Sequence, residues 1–164
     1  PAGRGWGGGA AVGVVTLAGC WAWWVRGQGW RAVRRYGVKE LQRWQNRRGQ
    51  GVIPDGGWSL LFVLGRYSAG QTSEPRDLVA FLQAHTGGEA WMVCAFGATE
   101  HACVMAAAAM GGHARVGFEN NLLLLNGEPA PDNAALVRQA AQACACLGRP
   151  LATAQQIREQ FFAV

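Results

Sequence analysis

Apolar and polar positions fall into two unlike patterns along the 164-residue chain. From about Gly51 onward, short apolar runs alternate with amphipathic stretches of helical period. Ser59 to Leu64 is an apolar run closed by Gly65 and predicts a buried strand. Ser73 followed by Glu74-Pro75 predicts a capped helix with Leu78, Val79 and Leu82 as its apolar stripe. Ala90 to Phe96, closed by Gly97, predicts a second buried strand, and Thr99 to Met110 an alanine-rich helix stopped by Gly111-Gly112. Ala114 to Glu119 predicts a third strand. Asp132 or Asn133 then caps a helix whose stripe is Leu136, Val137, Ala140, Cys144 and Leu147, ended at Gly148. Thr153 and Gln156 form a capping-box pattern for a last helix reaching about Phe162. Strand, helix, strand, helix, strand, helix predicts parallel βα units.

The third strand carries the candidate chemistry. In a strand, positions 115, 117 and 119 share one face, which places Arg115, a gap at Gly117 and Glu119 together. An arginine and a carboxylate beside a glycine are odd core residues. They suit a site at the carboxyl-terminal mouth of an α/β barrel.

Before residue 51 the pattern changes. Residues 1–50 hold nine basic residues and one acid, a balance of +8, whereas residues 51–164 balance to −3, which recovers the overall +5. Seven of the eight tryptophans and fourteen of the 24 glycines precede Ser59. Residues 5–25 carry no charge and approach the length of a membrane span, and Arg26, Arg31, Arg34, Arg35 and Lys39 follow them. The glycines in that run make a weak helix, and no small-residue cleavage site ends it as in a secretory signal. Gly, Arg, Trp and Ala share GC-rich codons, so a partly misread or shuffled segment over about residues 1–50 is the favoured reading, ahead of a membrane anchor or a glycine-rich leader. Gly3, Gly5 and Gly8 match G-x-G-x-x-G in form, but no strand precedes them and no acidic partner follows, so they are not read as a dinucleotide loop. The Arg/Trp mixture lacks any recognisable nucleic-acid-binding module. Residue 1 is proline, so the natural start is expected to be missing or processed.

Gly111, Gly112, His113, Arg115, Val116, Gly117, Glu119 and Asn121 resemble the GG-H-x-R-V-G-x-E-D-N signature of the beta-keto acid cleavage enzymes. The resemblance runs on through Gly127, Asn133, Leu136-Val137, Leu147-Gly148-Arg149, Ala152-Thr153 and Arg158. Upstream it takes in Val63-Leu64-Gly65, Trp91 and Gly97, and it is good from about Gly51 to Phe162. It implies an α/β fold made of the C-terminal βα units of a (β/α)8 TIM barrel, incomplete because such a barrel needs about 250 residues. The expected domains are a Gly/Trp/Arg-rich segment of uncertain structure over 1–50 and that barrel portion over 51–164.

The resemblance also implies chemistry. Such enzymes convert a beta-keto acid and acetyl-CoA into acetoacetate and a new acyl-CoA. Zinc, held by an H-x-H pair and one glutamate, polarises the keto group. Glu119 corresponds to that glutamate, and Arg115 to an arginine that works with the acid after it. That acid is Asn120 here, and an amide cannot take a proton at neutral pH. No H-x-H occurs: the histidines are His85, His101 and His113. The expected function is therefore a fragment of a zinc-dependent enzyme, inactive alone, in a cytoplasmic protein that forms homo-oligomers. The alternative is a non-catalytic scaffold or interaction domain, with residues 5–25 as a candidate membrane anchor.

Other residues have plainer expectations. Cys20, Cys94, Cys103, Cys144 and Cys146 form no CxxC pair and read as reduced thiols. Cys144 and Cys146 point roughly 200° apart on a helix and make a poor chelate. His113 is expected to be structural in the turn before its strand and His101 to be satisfied on its helix. His85 is expected at a helix end, in keeping with the dipole. Asn121 and Asn133 are expected to bond local backbone, and Trp91 to pack in the core.

Overall fold

The computed structural model describes residues 14–15, 31–54 and 57–162. The uncharged run 5–25 lies outside them except for Val14–Val15, and Cys20 and the early glycine motif lie outside them altogether. Among the described residues five strands form one parallel sheet: β1 (Val14–Val15), β2 (Arg31–Arg35), β3 (Trp58–Leu64), β4 (Ala90–Ala95) and β5 (His113–Arg115). Their order across the sheet is β1-β5-β4-β3-β2. Among the described residues five α-helices accompany them: α1 (Val38–Gly49), α2 (Asp77–Ala84), α3 (Glu100–Ala109), α4 (Asn133–Cys146) and α5 (Ala154–Phe162). The parallel α/β architecture predicted from the alternation of runs is the one observed.

Strand alternation sorts the core. Leu60, Phe62 and Leu64 of β3 join Val93 and Ala95 of β4 on one face, against Leu41 and Trp44 of α1, Leu78 and Phe81 of α2, and Cys103 and Ala107 of α3. Leu61, Val63, Cys94 and Phe96 gather on the opposite face with Tyr36 and Met92, a cluster that includes no helix residue among those described. Around β5, Ala114 and Val116 pack with Val104 and Ala108 of α3 and with Leu136, Ala140 and Cys144 of α4. Register places Met92 beside His113 and Val93 beside Ala114.

Several expectations change. Part of the basic first third is built into the sheet: β2 pairs with β3 over five residues, and Leu41 and Trp44 of α1 are buried in the principal core. Arg35 and Arg48 both lie over the Trp44 ring, which accounts for arginine and tryptophan together in this stretch. Ser73 does not cap α2. It is buried, and its hydroxyl donates to the Phe96 carbonyl at 2.9 Å. The helix begins at Asp77, whose carboxylate accepts the Glu74 N–H at 2.8 Å. Its buried residues are Leu78 and Phe81, and Val79 is exposed.

The third predicted strand is shorter than expected, because β5 ends at Arg115. Gly117 then takes φ +153°, a conformation that favours glycine, and a turn follows in place of further strand. Asp132 caps α4 as expected, accepting the Ala135 N–H at 2.7 Å. Thr153 and Gln156 bond reciprocally at 2.8 and 3.2 Å, which makes the predicted capping box. Trp91 packs on Phe62, and its ring closes the space beside Gly112. Among the described residues no helix is long and apolar enough to cross a membrane.

Candidate active site

Arg115 occupies the last position of β5 and is 4% exposed. Its guanidinium points into a small polar group at the carboxyl end of the sheet. Nη2 pairs with the Glu119 carboxylate, and Nη1 lies 3.8 Å from Cys94 Sγ. Burial pushes the Cys94 thiol up to about 11, against the opposing pull of Arg115, so the sulfur is a neutral neighbour at neutral pH.

The partnership of Arg115 and Glu119 is real, but a shared strand face does not produce it. The turn does. Asn120 and Asn121 both donate their backbone N–H to the Gly117 carbonyl, at 2.9 and 3.2 Å, which folds Glu119 back over Arg115. Asn133, the first residue of α4, accepts the Phe118 N–H at 2.8 Å, a link across the site where only local bonding was expected. Asn121 does bond locally, to the N–H and carbonyl of Leu123 at 3.0 and 2.7 Å.

Asn120 sits in the same turn and is 7% exposed. Its carbonyl accepts the Gly97 N–H at 3.1 Å, which ties this turn to the end of β4. Its side-chain Oδ1 and Nδ2 have no hydrogen-bond partner among the described residues. A buried amide with both ends unmatched is costly and marks a place where another group can dock.

Glu100, at the start of α3, belongs to this group and was not singled out from the sequence. It is 2% exposed, and its Oε2 accepts from Asn121 Nδ2 at 3.1 Å. Burial pushes its carboxyl up to about 7, opposed by hydrogen bonds from Asn121 and the Gly117 backbone and by the charge of Arg115. A glutamate in a helix's first turn normally reads as an exposed partner of the dipole. No local signal announces its burial.

The neighbouring loops brace this group. A Cβ at Gly97 would stand 2.9 Å from the Gln71 carbonyl, and one at Gly65 only 2.6 Å from the Thr72 carbonyl. The loop after β3 therefore lies directly against the ends of β3 and β4.

The histidines are elsewhere engaged. His113 begins β5, buried, and desolvation together with nearby Arg149 pulls its pKa down to about 4. His101 Nδ1 lies 3.3 Å from Gln139 Nε2. His85 follows the end of α2 beside Glu89, but burial lowers its pKa and opposes the positive charge that the helix end would favour. No three His, Cys, Asp or Glu side chains converge among the described residues, so Glu119 has no companions there to complete a zinc site. Cys94, Cys103, Cys144 and Cys146 are free thiols, and Cys144 is buried while Cys146 is exposed.

The family model described as beta-keto acid cleavage enzyme matches residues 31–161. The match begins in β2, well before Gly51, so a misread segment does not extend over residues 31–50. The chain is 36% identical over 98 residues to the 3-keto-5-aminohexanoate cleavage enzyme of Acetoanaerobium sticklandii, covering 60% of this chain and 36% of that protein. The enzyme of the same name from Fusobacterium nucleatum is 35% identical over 98 residues, covering 60% of this chain and 35% of that protein. The 3-oxoadipate:acetyl-CoA acetyltransferase of Cupriavidus necator is 34% identical over 108 residues, covering 63% and 37%. The chain thus spans a little over a third of the length of these relatives. It belongs to the beta-keto acid cleavage enzyme family.

Proposed function

We propose that this chain furnishes the carboxyl-terminal βα units of a (β/α)8 barrel that transfers an acyl group between a beta-keto acid and acetyl-CoA, releasing acetoacetate and a new acyl-CoA. The observation that supports this most directly is the buried Arg115 paired with Glu119 at the carboxyl end of β5, where parallel barrels keep their sites. The names of the relatives supply the substrate classes.

In this reading Arg115 is the fixed cation of the site. It is held on a strand and directed by Glu119, and its planar donors suit a carboxylate or a polarised carbonyl. Asn120 adds a buried donor and acceptor to the same wall without acid–base capacity. Glu119 is also the one residue proposed as a metal ligand. A catalytic zinc takes three protein ligands, and the described residues do not furnish the other two.

The domain reading follows the same lines. Residues 51–164 form the barrel portion, joined by β2 and α1 from the preceding segment. Among the described residues β1 and β2 are the edges of the sheet, and parallel edges call for covering by further chain or by a second copy. The free thiols support a reducing compartment such as the cytoplasm.

The test combines the purified chain with the amino-terminal remainder of the Acetoanaerobium sticklandii relative, in the presence of zinc, acetyl-CoA and a beta-keto acid. The chain alone should give no acetoacetate, and Asn120→Asp should not change that. The combined pieces should give acetoacetate, and Arg115→Ala or Glu119→Ala should abolish it. Turnover by the chain alone would overturn the need for more chain, and turnover unaffected by either substitution would overturn the site.

A further inference from the structure

Glu100 lies in the first turn of α3, where an exposed acid would complement the helix dipole equally well. Burying it is expensive, and capping gives no reason to do so. Its contacts give one. Oε2 accepts from Asn121 Nδ2 at 3.1 Å. The adjoining backbone repeats the connection, because the Glu100 N–H donates to the Gly97 carbonyl at 3.0 Å and the Gly97 N–H donates to the Asn120 carbonyl at 3.1 Å. Residues 97–100 therefore grip the end of the turn, at Asn120 and Asn121. Glu119 immediately precedes the two gripped residues. Glu100 Oε1 has no partner among the described residues, so the carboxyl is oriented by these bonds and by no ion pair seen there.

We infer that Glu100 is a positioning residue, whose carboxyl clamps Asn121 and thereby sets where Glu119 and Asn120 stand against Arg115. The inference rests on the reading of Arg115 to Asn121 as the site. The clamp joins a helix behind β4 to the turn after β5, so it fixes the site across two βα units. Gln can accept from the same donor through its amide oxygen, whereas Ala cannot.

The experiment is amide hydrogen exchange on the full chain, wild type against Glu100→Ala, Glu100→Gln and Asn121→Ala. Losing a buried hydrogen bond of this kind is worth about 1–3 kcal/mol, so Glu100→Ala should speed exchange at Phe118, Asn120 and Asn121 about tenfold or more. Exchange in β4 should stay within about twofold of wild type. Glu100→Gln should keep the turn close to wild type, and Asn121→Ala should loosen the same amides. Unchanged turn amides in Glu100→Ala would overturn the clamp, as would equal acceleration in β4 and the turn. Should Glu100→Ala fail to fold, Asn121→Ala decides alone, and unchanged turn amides there are equally fatal. Exchange is read without substrate, so failure of the clamp is separate from failure of the acyl-transfer reading, which the acetoacetate assay reports.

Discussion

β3 and β4 lie side by side in register over six residues, from Ser59 beside Ala90 to Leu64 beside Ala95. β5, on the other side of β4, lasts three residues before Gly117 turns the chain away. The first pair is held by an unbroken ladder and by apolar side chains from three helices. The second region is held by side-chain hydrogen bonds: Asn133 to the Phe118 N–H, Asn121 to the backbone of Leu123, and Asn121 to the Glu100 carboxyl. A ladder sends successive side chains to opposite faces. Bringing Arg115, Glu119 and Asn120 into one place requires leaving it, and polar bonds replace the stability that the ladder would have supplied.

That contrast can be tested by injuring each region. Phe62 is fully buried and stacks on both Phe81 and Trp91, so Phe62→Ala should cost about 3–5 kcal/mol in a denaturant titration. A loss under about 1 kcal/mol would mean that the apolar pair is not the main support.

The polar region should instead respond to pH. Folding raises the Glu100 pKa from 4.5 to about 7, so the folded state favours the protonated form. Its contribution is complete below about 4.5, the unfolded value, and is lost as pH rises through about 7. The full loss is on the order of 3 kcal/mol at one pKa unit per 1.36 kcal/mol. Denaturation midpoints of wild type should fall across this window relative to those of Glu100→Gln, and parallel curves for the two proteins would remove the proposed pH response.

The smallest effect belongs to a site outside both regions. Asp132→Ala removes the side-chain cap of α4 and should cost about 1 kcal/mol in thermal unfolding.

The apolar region was readable in advance because its signals are local. Ser59 to Leu64 and Ala90 to Phe96 are closed runs, and Asp132, Thr153 and Gln156 are caps acting within a single turn. Of the site, Arg115 and Glu119 were readable as partners, although for a geometric reason that Gly117 overturns. Glu100 was hidden because burial of a first-turn glutamate depends on a turn seventeen residues further along. Ser73 looked like a cap because its neighbours Glu74 and Pro75 suit a helix entrance, yet its hydroxyl serves the Phe96 carbonyl. β2 and α1 were obscured by arginine and tryptophan, whose mixture reads as low order until Arg35 and Arg48 are seen against Trp44.

The attachment of β2 has a practical side. The composition changes near residue 50, and Gly49 to Val52 is an exposed junction that a protease can reach. Cleavage there, with loss of the preceding piece, would strip α1 from the core and leave β3 with an unpaired seven-residue edge, six residues of which are buried in the intact chain. A long, flat, apolar edge of that kind recruits other strands. A nicked preparation should therefore precipitate where the intact protein stays dispersed.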